Sequence, residues 1–275
     1  DGPIGKLRDG SVRKLKDANE AKKIYNDVEE IIYLGDILFS LGDVVNRNYV
    51  LLKPGYVEEW WELELEEKGG KVEDKLNVGF DEAVDFSRKY GIALHPKFIY
   101  YWKEIDYDDF LALIDFIGHG QIRGGKLILP YTRDDKERFS KGKRVLEILG
   151  AEHKVFANNV ILEEDESKGF LFNLGINFLN FEDGINKVNE KIKEIEKNFL
   201  KSNLSKNLGI GKRSVLEIID ELCELKIRDK SGTFIGARMG RPEKAKLRKL
   251  TGSPHVLFPV GDEGGRLRSF QAAMD

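Results

Sequence analysis

Between Thr233 and Lys249 the sequence reads Thr-Phe-Ile-Gly-Ala-Arg-Met-Gly-Arg-Pro-Glu-Lys-Ala-Lys-Leu-Arg-Lys, interleaving glycine with cationic side chains. Gly236 and Gly240 allow a backbone to come close to another chain. Pro242 suits the first position of a short helix; Arg238 and Arg241 flank that start, and Lys244, Lys246, Arg248 and Lys249 follow it. A helix start with clustered Arg and Lys receives phosphate through free N–H groups and positive charge together. On a helix, Lys246 and Lys249 are three apart and share one face, while Lys244 projects elsewhere. A plain basic surface is the simpler alternative, disfavoured because glycines interrupt the charge. Farther on, His255-Val-Leu-Phe-Pro-Val260 reads as an apolar strand. It leads into Gly261-Asp-Glu-Gly-Gly-Arg266-Leu-Arg268, a glycine loop that presents two arginines.

Other residues have types that could do chemistry but spacings that argue against it. Asp106-Tyr-Asp108-Asp109 has the Asp-x-Asp form of a two-metal site, yet the acids directly precede the apolar run Phe110–Ile117, where capping explains them better. His95, His119, His153 and His255 stand far apart, without metal-ligand spacing. Gly118-His-Gly120-Gln-Ile-Arg-Gly124-Gly125 misses a dinucleotide fingerprint by one position, and Gly209-Ile-Gly211-Lys212 lacks the first glycine of a phosphate loop. Trp60-Trp61 and Phe98–Trp102 could stack bases, although adjacent aromatics are more often split between core and surface. No Ser-His-Asp or Cys-His arrangement is readable.

The elements that must carry these residues follow from periodicity. Asp17–Asn46 is predicted helical from Ile24, Val28, Ile31, Ile32, Leu38 and Leu41, with Gly35 and Gly42 weakening the pattern. Further helices are predicted from Pro54-Gly55 to Glu67, over Asp81–Tyr90 with Gly91 as its stop, and over Asp106–Ile117. Gly118–Gly125 reads as a loop and Lys126–Leu129 as a strand. Asp134–Leu149 reads as a helix closed by Gly150, and His153–Phe156 with Asn159–Glu163 as a hairpin across Ala157-Asn158. Gly169–Leu174 is predicted as a third strand. Ile185–Leu200 and Val215–Leu225 read as helices, the first with Val188, Ile192, Ile195 and Phe199 on one stripe of an otherwise solvated helix. The fold class is therefore α+β. A helical scaffold region is expected over 1–117, a small α+β region over 118–205, and a basic, β-rich module over 206–275, with the joint near Ser202–Gly211.

The chain has 275 residues, room for one or two domains, and 41% hydrophobic residues, enough for a core without staples. One cysteine, Cys223, excludes an internal disulfide and an all-cysteine zinc site. No apolar run approaches the length of a membrane span. Opening at Asp1-Gly2-Pro3, the chain reads as a stretch of something longer. Charged residues make up 34%, with two Gln, two Met and Lys and Glu in excess, a composition like that of thermophile proteins. The net charge is −3, but residues 206–275 hold 14 basic against 9 acidic residues, and 1–205 hold 31 against 39. A basic module on an acidic body is the footprint of a polyanion site.

Ser231-Gly-Thr-Phe-Ile-Gly-Ala-Arg-Met-Gly-Arg-Pro-Glu-Lys-Ala-Lys246 closely resembles the large subunit of archaeal family-D DNA polymerases, also called DNA polymerase II, as does His255-Val-Leu-Phe-Pro-Val-Gly with Gly264-Gly-Arg266. Ile31-Ile-Tyr-Leu-Gly-Asp36, Leu52-Lys-Pro-Gly-Tyr-Val-Glu-Glu-Trp-Trp61 and Leu94-His-Pro-Lys97 with Tyr101-Trp102 are similar to the same family in the same order, so the resemblance spans nearly the whole chain. It implies a subunit built around two double-psi β-barrels, whose Mg²⁺-binding aspartates lie in an Asn-Ala-Asp-Phe-Asp-Gly-Asp motif. That motif and the family's zinc-binding cysteine clusters are absent here, so no metal ligand is expected in this chain and the stretch alone is expected not to polymerise DNA. The resemblance implies a middle portion of the subunit: helical region, small α+β region and part of the first barrel. Lys246 and Lys249 become the catalytic candidates, and Arg238, Arg241, Lys244, Arg248, Arg266 and Arg268 the nucleic-acid or phosphate contacts. The implied partners are primer-template DNA, nucleoside triphosphate, a small proofreading exonuclease subunit and a sliding clamp, in the archaeal cytoplasm at the nucleoid and without a membrane. The rival class is a non-catalytic nucleic-acid-binding or subunit-assembly module whose basic loop only grips backbone.

Overall fold

The computed structural model describes residues 2–15, 18–35, 37–40, 55–203, 214–230, 235–238 and 255–256. They form a mixture of helices and mainly antiparallel sheets, divided into two compact units: Tyr56–Lys230, and the two chain ends Asp1–Gly55 with Ser231–Asp275.

In the end-built unit, β1 (Ile4–Leu7), β2 (Val12–Lys14) and β3 (Val28–Tyr33) form an antiparallel sheet in the order β2-β1-β3. A tight turn joins the first pair: Gly10 has φ 87° and the Ser11 N–H donates to Asp9 Oδ1 at 2.7 Å. Ile4 and Val12 are buried in this sheet. Helix α1 covers only Ala18–Ile24, and β4 (Ile37–Ser40) follows β3. Of the helix predicted over 17–46, the described residues are helical only to Asp27 and strand over Val28–Tyr33 and Ile37–Ser40; residues 17, 36 and 41–46 lie outside them. Val28-Glu-Glu-Ile-Ile-Tyr33 is rich in residues that fit a pleated surface, Gly35 breaks the chain at φ 76°, and pairing with β1 overrides the helical spacing.

The Tyr56–Lys230 unit contains α2 (Glu58–Glu67), α3 (Phe80–Tyr90) and α4 (Tyr107–Gly118), then β5 (Gln121–Arg123), β6 (Lys126–Pro130), α5 (Arg133–Ile148), β7 (Lys154–Phe156), β8 (Asn159–Leu162), α6 (Glu164–Asn173), α7 (Phe181–Asn203) and α8 (Val215–Leu222). Short caps set the helix starts. Asp106, Thr132 and Ser214 each accept the N–H three residues on, and Asp109, Asp135 and Glu217 reach back, completing capping boxes for α4, α5 and α8. Gly91, at φ 65°, closes α3. Two-residue turns set the sheet: Gly124-Gly125 joins β5 to β6 and Ala157-Asn158, both at positive φ, joins β7 to β8. Gln121–Arg123 is a strand where a loop was predicted, because that turn folds it back onto β6.

The four strands are antiparallel in the order β5-β6-β8-β7. One face buries Leu127, Leu129, Val160 and Leu162, with Ile122 and Val155 packed against the same core. Against that core lie the buried aromatics Phe98, Tyr100, Trp102, Phe110, Phe116 and Phe170. Segment 169–174, predicted as a strand, is the end of α6: a Cβ on Gly169 would stand 2.7 Å from Phe98 Cδ1, so glycine here permits close helix packing. Asn173 completes the join. Its Oδ1 accepts the Trp102 indole N–H at 3.1 Å, and its Nδ2 donates to the carbonyls of Phe98 and Gly169, both at 2.8 Å. The Ser167 hydroxyl donates to Leu162 O and accepts the Leu127 N–H, each at 2.9 Å, clipping α6 to the sheet. No helix among the described residues is long and apolar enough to cross a membrane.

Candidate nucleic-acid interface

Strand β9 (Ile235–Arg238) runs parallel to β4, placing Ile235, Gly236, Ala237 and Arg238 opposite Ile37, Leu38, Phe39 and Ser40. Strand β10 (His255–Val256) runs antiparallel along the other side of β4, with His255 opposite Leu38 and Val256 opposite Ile37. Strand β9 therefore finishes opposite the last residue of β4, Ser40, and β10 begins opposite its second, Leu38. In sequence between these two strands, residues 239–254 include Arg241, Lys244, Lys246, Arg248 and Lys249 against a single acid, Glu243. Of the predicted site residues, Arg238 is placed, at the register position opposite Ser40. Arg241, Lys244, Lys246, Arg248, Lys249, Arg266 and Arg268 lie outside the described residues, as does Gly209–Lys212.

The first residues of the basic tail do a different job. The Arg228 guanidinium lies over Tyr56 at 4.8 Å and Trp60 at 5.0 Å and pairs with Glu64. Lys230 is buried, donates to Pro96 O at 3.0 Å and covers the Tyr101 ring. Asp229 pairs with Lys103 at 2.6 Å, and the Leu94 N–H donates to Lys226 O at 3.2 Å. Lys226–Lys230 thus tie the end of their unit to its aromatic core.

The upstream motifs are also architectural. Tyr56 is buried and donates to Glu64 Oε2 at 2.7 Å; burial and that carboxylate push its phenol far upward. His95 is buried edge-on to Trp61, with its Nδ1 accepting the Lys97 N–H at 3.1 Å and its Nε2 donating to Lys75 O at 2.9 Å. Burial lowers its pKa to about 4, so the ring is neutral. Lys97 reaches Val78 O at 2.9 Å. Trp61 is fully buried while Trp60 is partly exposed, the split expected of adjacent aromatics, and Phe98–Trp102 are core. Burial raises the Cys223 thiol to about 11, which suppresses thiolate chemistry.

Asp106 is the cap of α4, accepting the Asp109 N–H at 2.8 Å, and Asp108 belongs to the first turn. Gly118–Gly125 is a helix end followed by a hairpin rather than a phosphate loop. Among the described residues, no group of three or more His, Cys, Asp or Glu converges as a metal site. One basic surface went unnoticed in the sequence: Arg123, Lys126 and Lys154 share the outer face of the four-stranded sheet. The alternation in Lys126–Pro130 carries that signal, but only strand pairing brings the three together.

Over residues 1–275 the chain matches the family model described as DNA polymerase II large subunit DP2, central domain. It is 35% identical over 280 residues to the DNA polymerase II large subunit of Archaeoglobus fulgidus, covering 100% of this chain and 22% of that protein. To the large subunit of Methanocella arvoryzae it is 34% identical, covering 99% and 22%, and to that of Pyrococcus abyssi 33% identical, covering 100% and 20%. The chain spans about a fifth of the length of these curated relatives.

Proposed function

The chain belongs to the family of the DNA polymerase II large subunit central domain, and from that premise we propose that it supplies scaffold and DNA-gripping cations to a replicative DNA polymerase. The observation that carries this reading is the stretch 239–254, five basic residues against one acid, lying in sequence between two strands that both pair with β4. Such a density of cations can neutralise a phosphate backbone. In this reading β4, β9 and β10 form part of the first double-psi barrel. Arg238, Arg241, Lys244, Arg248, Arg266 and Arg268 hold backbone or triphosphate, and Lys246 and Lys249 face the reacting phosphate.

The reaction is attack of a primer 3′ hydroxyl on a nucleoside triphosphate with loss of pyrophosphate, and a lysine there offsets charge that grows in the transition state. In this reading Mg²⁺ assists the transfer and is held by other parts of the subunit; among the described residues no group of three or more His, Cys, Asp or Glu converges. The same reading places the subunit in the archaeal cytoplasm at the nucleoid, with a small proofreading exonuclease subunit and a sliding clamp as partners.

Single-turnover incorporation by the parent polymerase, measured beside its DNA dissociation constant, tests the assignment, with the 275-residue stretch serving as a control expected to give no extension. Lys246→Ala or Lys249→Ala is expected to slow incorporation about 10²-fold with little loss of DNA affinity, and Arg266→Ala to weaken binding chiefly. Wild-type incorporation with weakened binding in both lysine variants would make them grip residues instead.

A further inference from the structure

Beyond the β4–β9–β10 region, we propose that the open face of the four-stranded sheet β5-β6-β8-β7 is a docking surface for a single nucleic-acid strand. Its inner face is core, so its outer face presents the alternate residues of every strand: Gln121 and Arg123, Lys126 and Ile128, Asn159 and Ile161, Lys154 and Phe156. These residues are exposed or half-buried. The unit as a whole is acidic, with 28 Lys and Arg against 35 Asp and Glu, yet this face carries three cations.

Two features point to an anionic, base-bearing occupant. First, Arg123 and Lys126 stand directly opposite each other across β5 and β6, an arrangement of like charges that weakens a sheet. Lys126 is relieved by Glu163 at 2.6 Å, which also takes Lys154 at 2.7 Å and is held below the usual carboxylate range by those two hydrogen bonds. Arg123 has no such relief among the described residues. The nearby Glu164 is engaged by Lys168 at 2.9 Å. The face therefore keeps an uncompensated positive edge, which a phosphate backbone would neutralise.

Second, Phe156, 72% exposed, stands at the β7 end of the hairpin, opposite Asn159. A fixed aromatic on an open sheet beside cations can stack an unpaired base, and four-stranded sheets bind two or three bases in this way. At about 4.8 Å per strand spacing the face is roughly 14 Å wide, which suits such a length. Bases already stacked in a duplex could not use that ring, so the occupant is a single strand, such as template or displaced strand in the parent enzyme. This assignment rests on the DNA-polymerase reading above.

The test uses the full 275-residue chain and a fluorescein-labelled oligothymidylate bearing 5-iodouracil. Phe156→Ala and Arg123→Ala are each expected to weaken binding about 5- to 10-fold at unchanged thermal stability, and ultraviolet cross-links are expected to map to Phe156. Wild-type affinity in both variants, with cross-links confined to 238–268, would overturn the sheet site and leave the polymerase reading standing. No binding by the wild-type chain at low salt would overturn both. Equal losses for duplex and single strand, or a dimer in sedimentation that Phe156→Ala dissociates without any cross-link at the face, would assign the face to a duplex or a second copy and overturn the proposal.

Discussion

In the unit Tyr56–Lys230, neighbours in sequence are largely neighbours in space: α4 leads into β5, which turns through two residues into β6, then α5, a hairpin and α6. In the other unit the central strand β4, at Ile37–Ser40, is flanked by β9 at Ile235–Arg238 and β10 at His255–Val256. The first unit carries a net charge of −7 and the second +4, from 17 basic and 13 acidic residues. The locally wired, acidic unit holds its shape by caps and aromatic packing. The unit closed over a long chain separation carries the net positive charge. Closing a long loop costs only slightly more than closing a shorter one, so the inserted unit can be large without unmaking the sheet that brackets it.

The sharpest test of that contrast is autonomy. Residues 56–230 alone are expected to fold cooperatively, with amide-exchange protection at Leu127, Leu129, Val160 and Leu162, while 231–275 alone stays unfolded, since β9 and β10 both pair with β4. An unfolded 56–230 would abolish the distinction.

A smaller but still large effect is expected where α4 meets α5. A Cβ on Gly142 would stand 2.6 Å from Ala112 O and 2.7 Å from Phe116 Cβ. Gly142→Val is expected to destabilise the 56–230 unit by about 3 kcal/mol, read as a lowered denaturant midpoint. An unchanged transition would mean that the two helices can separate freely.

The mildest effect is a pH dependence confined to the same unit. Buried His95 has a pKa lowered from 6.5 to about 4, so the folded state binds its proton less readily than the unfolded chain. Stability is then full above pH 6.5 and is lost as pH falls towards 4, by on the order of 2–3 kcal/mol. Urea titrations across that window should show the slope, and His95→Asn, which can keep the hydrogen bond from the Lys97 N–H, should flatten it. A slope that survives the substitution would assign it to other groups.

The helices were legible where local chemistry decides them. Asp106 with Asp109 and the Gly91 stop fixed α4 and α3, and Ala157-Asn158 fixed the β7–β8 hairpin. Legibility failed where a partner strand or a packed ring decides. Val28–Tyr33 has spacings compatible with a helix until β1 pairs with it, and Gly169 looks like a strand residue until Phe98 packs against it. The candidate site divides in the same way: the cationic cluster was readable from residue order alone, whereas the roles of Arg228 and Lys230 were not, because Tyr56, Trp60 and Pro96 lie far from them in sequence.

The sequence by itself determined the α+β class, the caps and turns of the middle of the chain, the charge asymmetry between 1–205 and 206–275 and the family motifs, since each depends on residues a few positions apart or on a simple count. Only the tertiary structure decided that Ile37–Ser40 is a strand between β9 and β10, that the tail's first cations brace an aromatic core, and that Arg123, Lys126 and Lys154 share one sheet face. Strand pairing and ring packing join residues that are remote along the chain, and local preference carries no record of which remote partner will be present.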